Sequence, residues 1–280
     1  MMTGPNPLQK YFRQPKIYID LPSKGIFYNK ESLDGIANNI PVFGMTGMDE
    51  IIMKTPDALF SGESTVKVVQ SCCPSIKNAW DMPSIDVDAL LVSIRIASYG
   101  AKMEVNHRCP NCQAINDYDI DLSSVLGYLT SLTYDGRIQC DDITIVIRPL
   151  RYEEITKFNI ENYKLQKMLN QLAKMESSGD DNGTIKKQDE VYARIAEMQL
   201  ELFEISVVRI ETPEGIVDNK EFIQEWIRNC DKEYFKTIKS KLETNKNQWD
   251  IPSQTVECPE CNHHSDVVIT MDQASFFGRG

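Results

Sequence analysis

Histidine is scarce in this 280-residue chain, which has only three, at positions 107, 263 and 264. Two are adjacent and all three sit beside cysteine pairs, so a Ser-His-Asp or Cys-His relay is hard to assemble. The sequence also lacks a GxxxxGK(S/T) phosphate loop, a GxGxxG after a strand, an HExxH pair and a GxSxG elbow. No catalytic residue and no organic cofactor site is expected, and the chain reads as a non-enzyme. Basic charge is in short supply too: 30 Lys+Arg face 41 Asp+Glu, for a net charge of −11 and a pI near 4.9. That balance argues against a sequence-independent grip on nucleic acid, which needs a basic face to neutralise phosphates. No apolar run reaches the roughly eighteen residues of a membrane span. The first residues, Met1-Met2-Thr3-Gly4-Pro5-Asn6-Pro7, have neither the basic nor the apolar region of an export signal. A soluble protein that stays in the cell where it is made is expected. At 41% hydrophobic and 25% charged, the composition is that of a folded chain rather than a disordered one.

Among the eight cysteines, four form two pairs of identical spacing, Cys109-Pro-Asn-Cys112 and Cys258-Pro-Glu-Cys261. Cys72, Cys73, Cys140 and Cys230 are scattered. Two thiolates three residues apart can grip one metal from a tight turn, and two such turns complete the closed four-sulfur shell of structural zinc. Strand-like alternation follows each pair: Ile115, Tyr118, Ile120 and Leu122 after the first, and Val267, Ile269 and Met271 after the second. Aligning Cys109 on Cys258 superposes Ile120 on Ile269 and Leu122 on Met271, so the two stretches read as copies of one knuckle-plus-strand unit. The predicted metal ligands are Cys109, Cys112, Cys258 and Cys261, holding a structural zinc ion. A thiol-redox site also uses Cys-Pro-x-Cys, but there the motif opens a helix. A catalytic zinc would need an open position, with His107, His263 or His264 replacing a cysteine; four cysteines already fill the shell. The metal would close a loop over residues 113–257, at a cost of about 4 kcal/mol, against roughly 10–16 kcal/mol for structural zinc binding.

The pattern predicts an α+β fold: a mostly helical chain with a zinc-ribbon-like β element built from two distant CxxC knuckles, and a long antiparallel helical hairpin. Residues 1–45 read as an extended arm with short strands, including Lys16–Leu21. Residues 46–101 read as a helical domain. Helices are expected after Thr46, from Pro56 to about Cys72, and after a Ser84 cap, with Val87, Leu90, Leu91 and Ile94 on a core face and Gly100 as the stop. Residues 102–150 hold the first knuckle, a short helix at Ser123–Leu132 and a hairpin at Ile138–Ile147. Residues 151–250 read as a helical insertion. One arm runs from Tyr152 to about Glu176; Ser177–Gly183 break it; a second arm from Ile185 carries Val191, Ile195, Met198, Leu202 and Ile205 at heptad-like spacing. Lys220–Asn229 and Asp231–Asn245 follow as helices. Residues 251–280 hold the second knuckle and a tail.

Several stretches together are familiar. Asn6–Ile19 leads into Leu21-Pro22-Ser23-Lys24-Gly25; Thr55–Phe60, Met82–Asp88 and Ile94–Gly100 follow, and then the first knuckle. They resemble the baseplate hub subunit and hub-assembly proteins of T-even-like contractile-tailed bacteriophages, over residues 6–127 and at the terminal knuckle. The resemblance implies a non-enzymatic structural or assembly role in the tail baseplate, through contacts with other baseplate or hub proteins. The protein would then lie in the bacterial host cytoplasm during assembly, or in the virion tail. The resemblance says nothing about metal, which rests on the cysteine spacing. Two other functions fit parts of the sequence: a zinc-ribbon nucleic-acid or transcription factor, for which only Lys102, Arg108 and Arg279 near the knuckles supply positive charge, and a thiol-redox protein. Tyr11, Phe12 and Tyr18, and the Phe276-Phe277 pair near the C-terminus, must be covered by the chain's own core or by a partner.

Overall fold

A computed structural model describes residues 6–55, 61–176, 181–269 and 276–277. It mixes helix and sheet, and the chain forms two compact units. The first comprises residues 1–81, 85–133 and 251–280; the second comprises 82–84 and 134–250.

In the first unit, β1 (Pro15–Ile19) pairs antiparallel with β2 (Ile40–Phe43). Alternation places Ile19, Ile40 and Val42 inside and leaves Lys16 and Tyr18 outside. Helix α1 (Gly47–Met53) starts at a capping box, in which the Thr46 hydroxyl and the Asp49 carboxylate each accept from the other's backbone N–H. Helix α2 (Glu63–Cys72) begins later than the expected Pro56. Residues 56–60 lie outside the described residues, but Gly62 sits at φ 77, a left-handed conformation that no helix interior contains. Helix α3 (Ser84–Tyr99) starts at Ser84 itself and ends where Gly100 turns left-handed at φ 93, its N–H still bonded to Ile96 O. The single core face expected for α3 is too narrow. Ile85, Val87, Ala89, Leu90, Leu91, Val92, Ile94 and Ala97 are all buried, so the helix is enclosed nearly all round and forms the centre of this unit. The unit continues through β3 (Lys102–Arg108), β4 (Ile115–Asp121) and α4 (Leu122–Ser131), whose first N–H groups are capped by Asp121.

The second unit is built on a four-stranded antiparallel sheet. Strands β5 (Arg137–Cys140) and β6 (Ile143–Ile147) form the expected hairpin. Helix α5 (Tyr152–Glu176) packs on α6 (Asp181–Ser206), burying Leu172, Val191 and Met198 between polar flanks. Arg194 of α6 bridges Glu161 of α5 and Glu201 of its own helix, at 2.7 Å each. Of the expected breakers, residues 177–180 lie outside the described residues and 181–183 are helical. The α6 backbone then runs straight into β7 (Val207–Thr212), which turns back as β8 (Gly215–Val217), giving the order β5-β6-β7-β8. This hairpin was not expected from the sequence, because the apolar spacing of α6 runs without a break to its boundary. Helices α7 (Lys220–Asn229) and α8 (Lys232–Trp249) follow, capped by Asn219 and Asp231. Ile223, Ile227 and Ile238 join Ile138, Ile145, Ile147, Val207 and Ile210 in one apolar core.

Candidate metal centre

Each cysteine pair sits at the turn of a β-hairpin in the first unit. The first hairpin is β3 and β4, with Arg108 opposite Ile115 beside the turn; the second is β9 (Gln254–Glu257) and β10 (His264–Val267), with Glu257 opposite His264. The two turns are built alike. Cys109 N–H donates to Ala114 O at 2.9 Å and Gln113 N–H to Cys109 O at 3.0 Å; Cys258 N–H donates to His263 O at 2.9 Å and Asn262 N–H to Cys258 O at 2.8 Å. The residue after each second cysteine takes a left-handed conformation, Gln113 at φ 63 and Asn262 at φ 55. Pro110 and Pro259 preset the second position of each turn. The repeat read from the sequence is therefore a strand–knuckle–strand unit, one strand longer than the expected motif. Of the positions aligned in that reading, Ile120 and Ile269 are both buried, and Met271 lies outside the described residues.

The hairpins bring the four sulfurs together, all within 4.8 Å of one another. Cys109 Sγ lies 3.7 Å from Cys261 Sγ, and Cys112 Sγ lies 3.6 Å from Cys258 Sγ. A disulfide would need about 2.05 Å. Four sulfurs held tetrahedrally around zinc at about 2.3 Å stand about 3.8 Å apart. The donor set therefore fits a closed metal shell, in which the first cysteine of each pair is buried and the second lies toward the surface.

Side-chain amides donate to two of the sulfurs. Asn111 Nδ2 donates to Cys261 Sγ and Asn116 Nδ2 to Cys258 Sγ, both at 3.5 Å. Donation from Asn111 and from the His263 backbone N–H brings Cys261 down to about 6. At Cys112 the Ala114 N–H favours the thiolate, but the crowding of Cys261, Cys258 and Cys109 outweighs it and pushes the thiol up to about 12. Cys261 thus readily holds negative charge while Cys112 beside it resists adding more, an arrangement that a bound dication would resolve.

None of the three histidines belongs to this sulfur cluster. His263 and His264 are exposed, while His107 Nε2 meets Ser265 Oγ at 3.0 Å and ties one hairpin to the other. Asn111, Asn116 and Ser265 were not picked out from the sequence; their partners lie more than 140 positions away, beyond the reach of any local pattern. Each knuckle leads into a strand, β4 or β10, so no helix N-terminus lowers the thiol pKa as a redox motif requires. The outward face of β3–β4 carries Glu104, Asp117, Asp119 and Asp121 against Lys102 and Arg108, with Lys102 paired to Asp119 at 3.4 Å. That acidic face repels phosphate, and Arg279 lies outside the described residues.

The other aromatic candidates separate cleanly. Phe276 and Phe277 are buried, with the Arg95 guanidinium 5.4 Å above the Phe276 ring, whereas Tyr11, Phe12 and Tyr18 are exposed. Among the described residues, no helix is long and apolar enough to cross a membrane.

Set against known proteins, residues 48–278 match the family model described as T4 bacteriophage base plate protein. No curated protein and no solved structure matches the chain.

Proposed function

Because the chain belongs to the T4 bacteriophage base plate protein family, we propose that it is a non-enzymatic structural or assembly component of a contractile tail baseplate, acting at the hub. Its contacts are with other baseplate proteins, in the host cytoplasm during assembly and in the tail of the particle. Within it, Cys109, Cys112, Cys258 and Cys261 hold a structural zinc ion and complete a zinc ribbon from two hairpins far apart in the sequence. The observation that carries the metal reading is the sulfur geometry: separations of 3.6 and 3.7 Å between the two knuckles, near the tetrahedral value and far from a disulfide.

The chemistry follows from the ligand count. Four protein thiolates saturate a tetrahedral ion and leave no position for water or substrate, so the metal supplies cross-linking energy rather than catalysis. Asn111 and Asn116 orient and stabilise the sulfurs, and His107 with Ser265 adds a polar tie between the hairpins. Residues 102–121 and 254–267 supply the two knuckle hairpins, and the sheet and helices of residues 134–250 lie between them in sequence.

The metal and the role are tested separately. Elemental analysis of reduced, full-length protein is expected to give one zinc per chain, lost when Cys109 and Cys258 are both replaced by Ser. A metal-free wild-type protein overturns the zinc assignment. Mass spectrometry of purified particles and of pull-downs from infected cells is expected to recover the chain with baseplate proteins. Its absence from both overturns the baseplate role.

A further inference from the structure

Building on the reading that this chain works through protein contacts, we propose that its N-terminal segment is a docking arm whose seat is the acidic body of a second copy of the same chain. The segment is clamped at Arg13. Arg13 Nη1 donates to Gly44 O at 2.6 Å and meets Asp49 Oδ2 at 3.4 Å, and Nη2 donates to Ser71 O at 2.6 Å and to Ser71 Oγ at 2.8 Å. The same guanidinium lies 5.6 Å from the centre of the Phe43 ring. A backbone fixed this firmly has its own surface within reach of the neighbouring side chains. Yet Leu8 is 60% exposed, Tyr11 73%, Phe12 57% and Tyr18 57%. Leu8 and Tyr11 stand three positions apart on one tight turn, closed by Tyr11 N–H to Leu8 O at 2.9 Å, and so project from the same side. Large side chains presented this way on a fixed backbone mark a contact surface, and aromatic residues are its usual anchors.

Charge identifies the occupant. Residues 1–30 contain Lys10, Arg13, Lys16, Lys24 and Lys30 against Asp20, a net +4, so the rest of the chain carries −11 − 4 = −15. Lys10 and Lys16 flank the exposed rings, and among the described residues neither forms an ion pair. Lys10 instead lies over the Tyr11 ring at 4.9 Å. A basic, aromatic arm that faces outward from an acidic body finds its complement on the body of another copy, where Glu104, Asp117 and Asp119 are exposed. The same −15 disfavours a polyanion on the arm. Contact between an arm and a body closes a two-fold pair when the two arms are exchanged reciprocally, and builds a ring or an open chain when they are not.

Sedimentation equilibrium of the full-length chain tests this. The mass is expected to rise above the 32.0 kDa protomer as concentration increases and to fall back as salt is added. Tyr11→Ser with Phe12→Ser, and separately Lys10→Glu with Lys16→Glu, should each raise the midpoint concentration at least about tenfold. All four positions are exposed, so melting temperature should not change. A photo-crosslinker at position 11 should trap the same chain in infected cells. The proposal fails if the wild type stays at the protomer mass throughout, if neither double variant shifts the midpoint, or if position 11 crosslinks only to a different protein. A chain that is monomeric yet present in baseplates removes the arm and leaves the baseplate role standing; one that self-associates but is absent from them does the reverse.

Discussion

Asp86 carries a sharp prediction about pH. It lies in the first turn of α3, where a carboxylate ordinarily benefits from the helix dipole, but its side chain is turned into the core and fully buried. There it accepts from Ser23 N–H at 2.7 Å and from the Ser23 hydroxyl at 2.5 Å. Burial outweighs these bonds and raises its carboxyl from 3.8 to about 6. The folded protein thus keeps a proton that the unfolded chain releases near pH 4. The sign follows: this contribution is fully present below the unfolded value and is lost as pH rises through the folded one. Two units at about 1.4 kcal/mol each give roughly 3 kcal/mol lost between about pH 4 and pH 6.5. The perturbation is Asp86→Asn, which removes the titration and keeps the shape. Hydrogen exchange of the α3 amides in graded urea reads the stability of the first unit alone. Wild-type stability minus variant stability should fall by roughly 3 kcal/mol across that window. Both proteins carry the same cysteines, so any change at the sulfur cluster at low pH cancels in the difference. A flat difference would refute the argument. A difference that grows with pH would show that the two Ser23 bonds, not burial, control the group.

Other predictions concern the packing and the sulfur site. Cys112→Ser, or chelation of the wild type, should speed amide exchange in β3, β4, β9 and β10 at least tenfold, while the sheet amides of the second unit keep their protection; equal loss in both units would contradict the assignment. Gly136→Ala should cost about 2 kcal/mol or more by urea denaturation, because a Cβ there would stand 2.1 Å from Ile147 O. Gly127→Ala, in the open middle of α4, should instead stabilise by about 0.5–1 kcal/mol in the same assay. Arg13→Ala should destabilise the β1–β2 pair by about 1–3 kcal/mol, since it removes four charged hydrogen bonds; an unchanged melting temperature would mean that the clamp contributes nothing.

What the sequence revealed was local chemistry. The CxxC spacing, the Asp141-Asp142 hairpin turn and the apolar rows of α5 and α6 are each complete within a few turns of chain, and each has a counterpart in the structure. The convergence of Cys109 with Cys261 follows from ligand arithmetic. The donors from Asn111 and Asn116 do not, because an Asn that bonds a distant sulfur looks like any turn Asn. Strands β3 and β9 precede their knuckles and carry few apolar residues; half-covered, polar strands leave a weak alternation. Strand β7 was hidden for the opposite reason, since Val208, three positions after Ile205, extends the helical spacing of α6. Asp86 sits at a helix start, where any carboxylate looks at home, and only the tertiary fold brings Ser23 over it.

The two knuckles also set a timetable. Cys112 and Cys258 are 146 positions apart, so at roughly 5–20 residues per second a ribosome delivers the second pair about 7–30 seconds after the first. For that interval the nascent chain holds only one of the two cysteine pairs, while the whole of β5 through α8 is synthesised and free to fold. A cross-link through all four sulfurs, as proposed, can therefore form only after the middle of the chain has emerged.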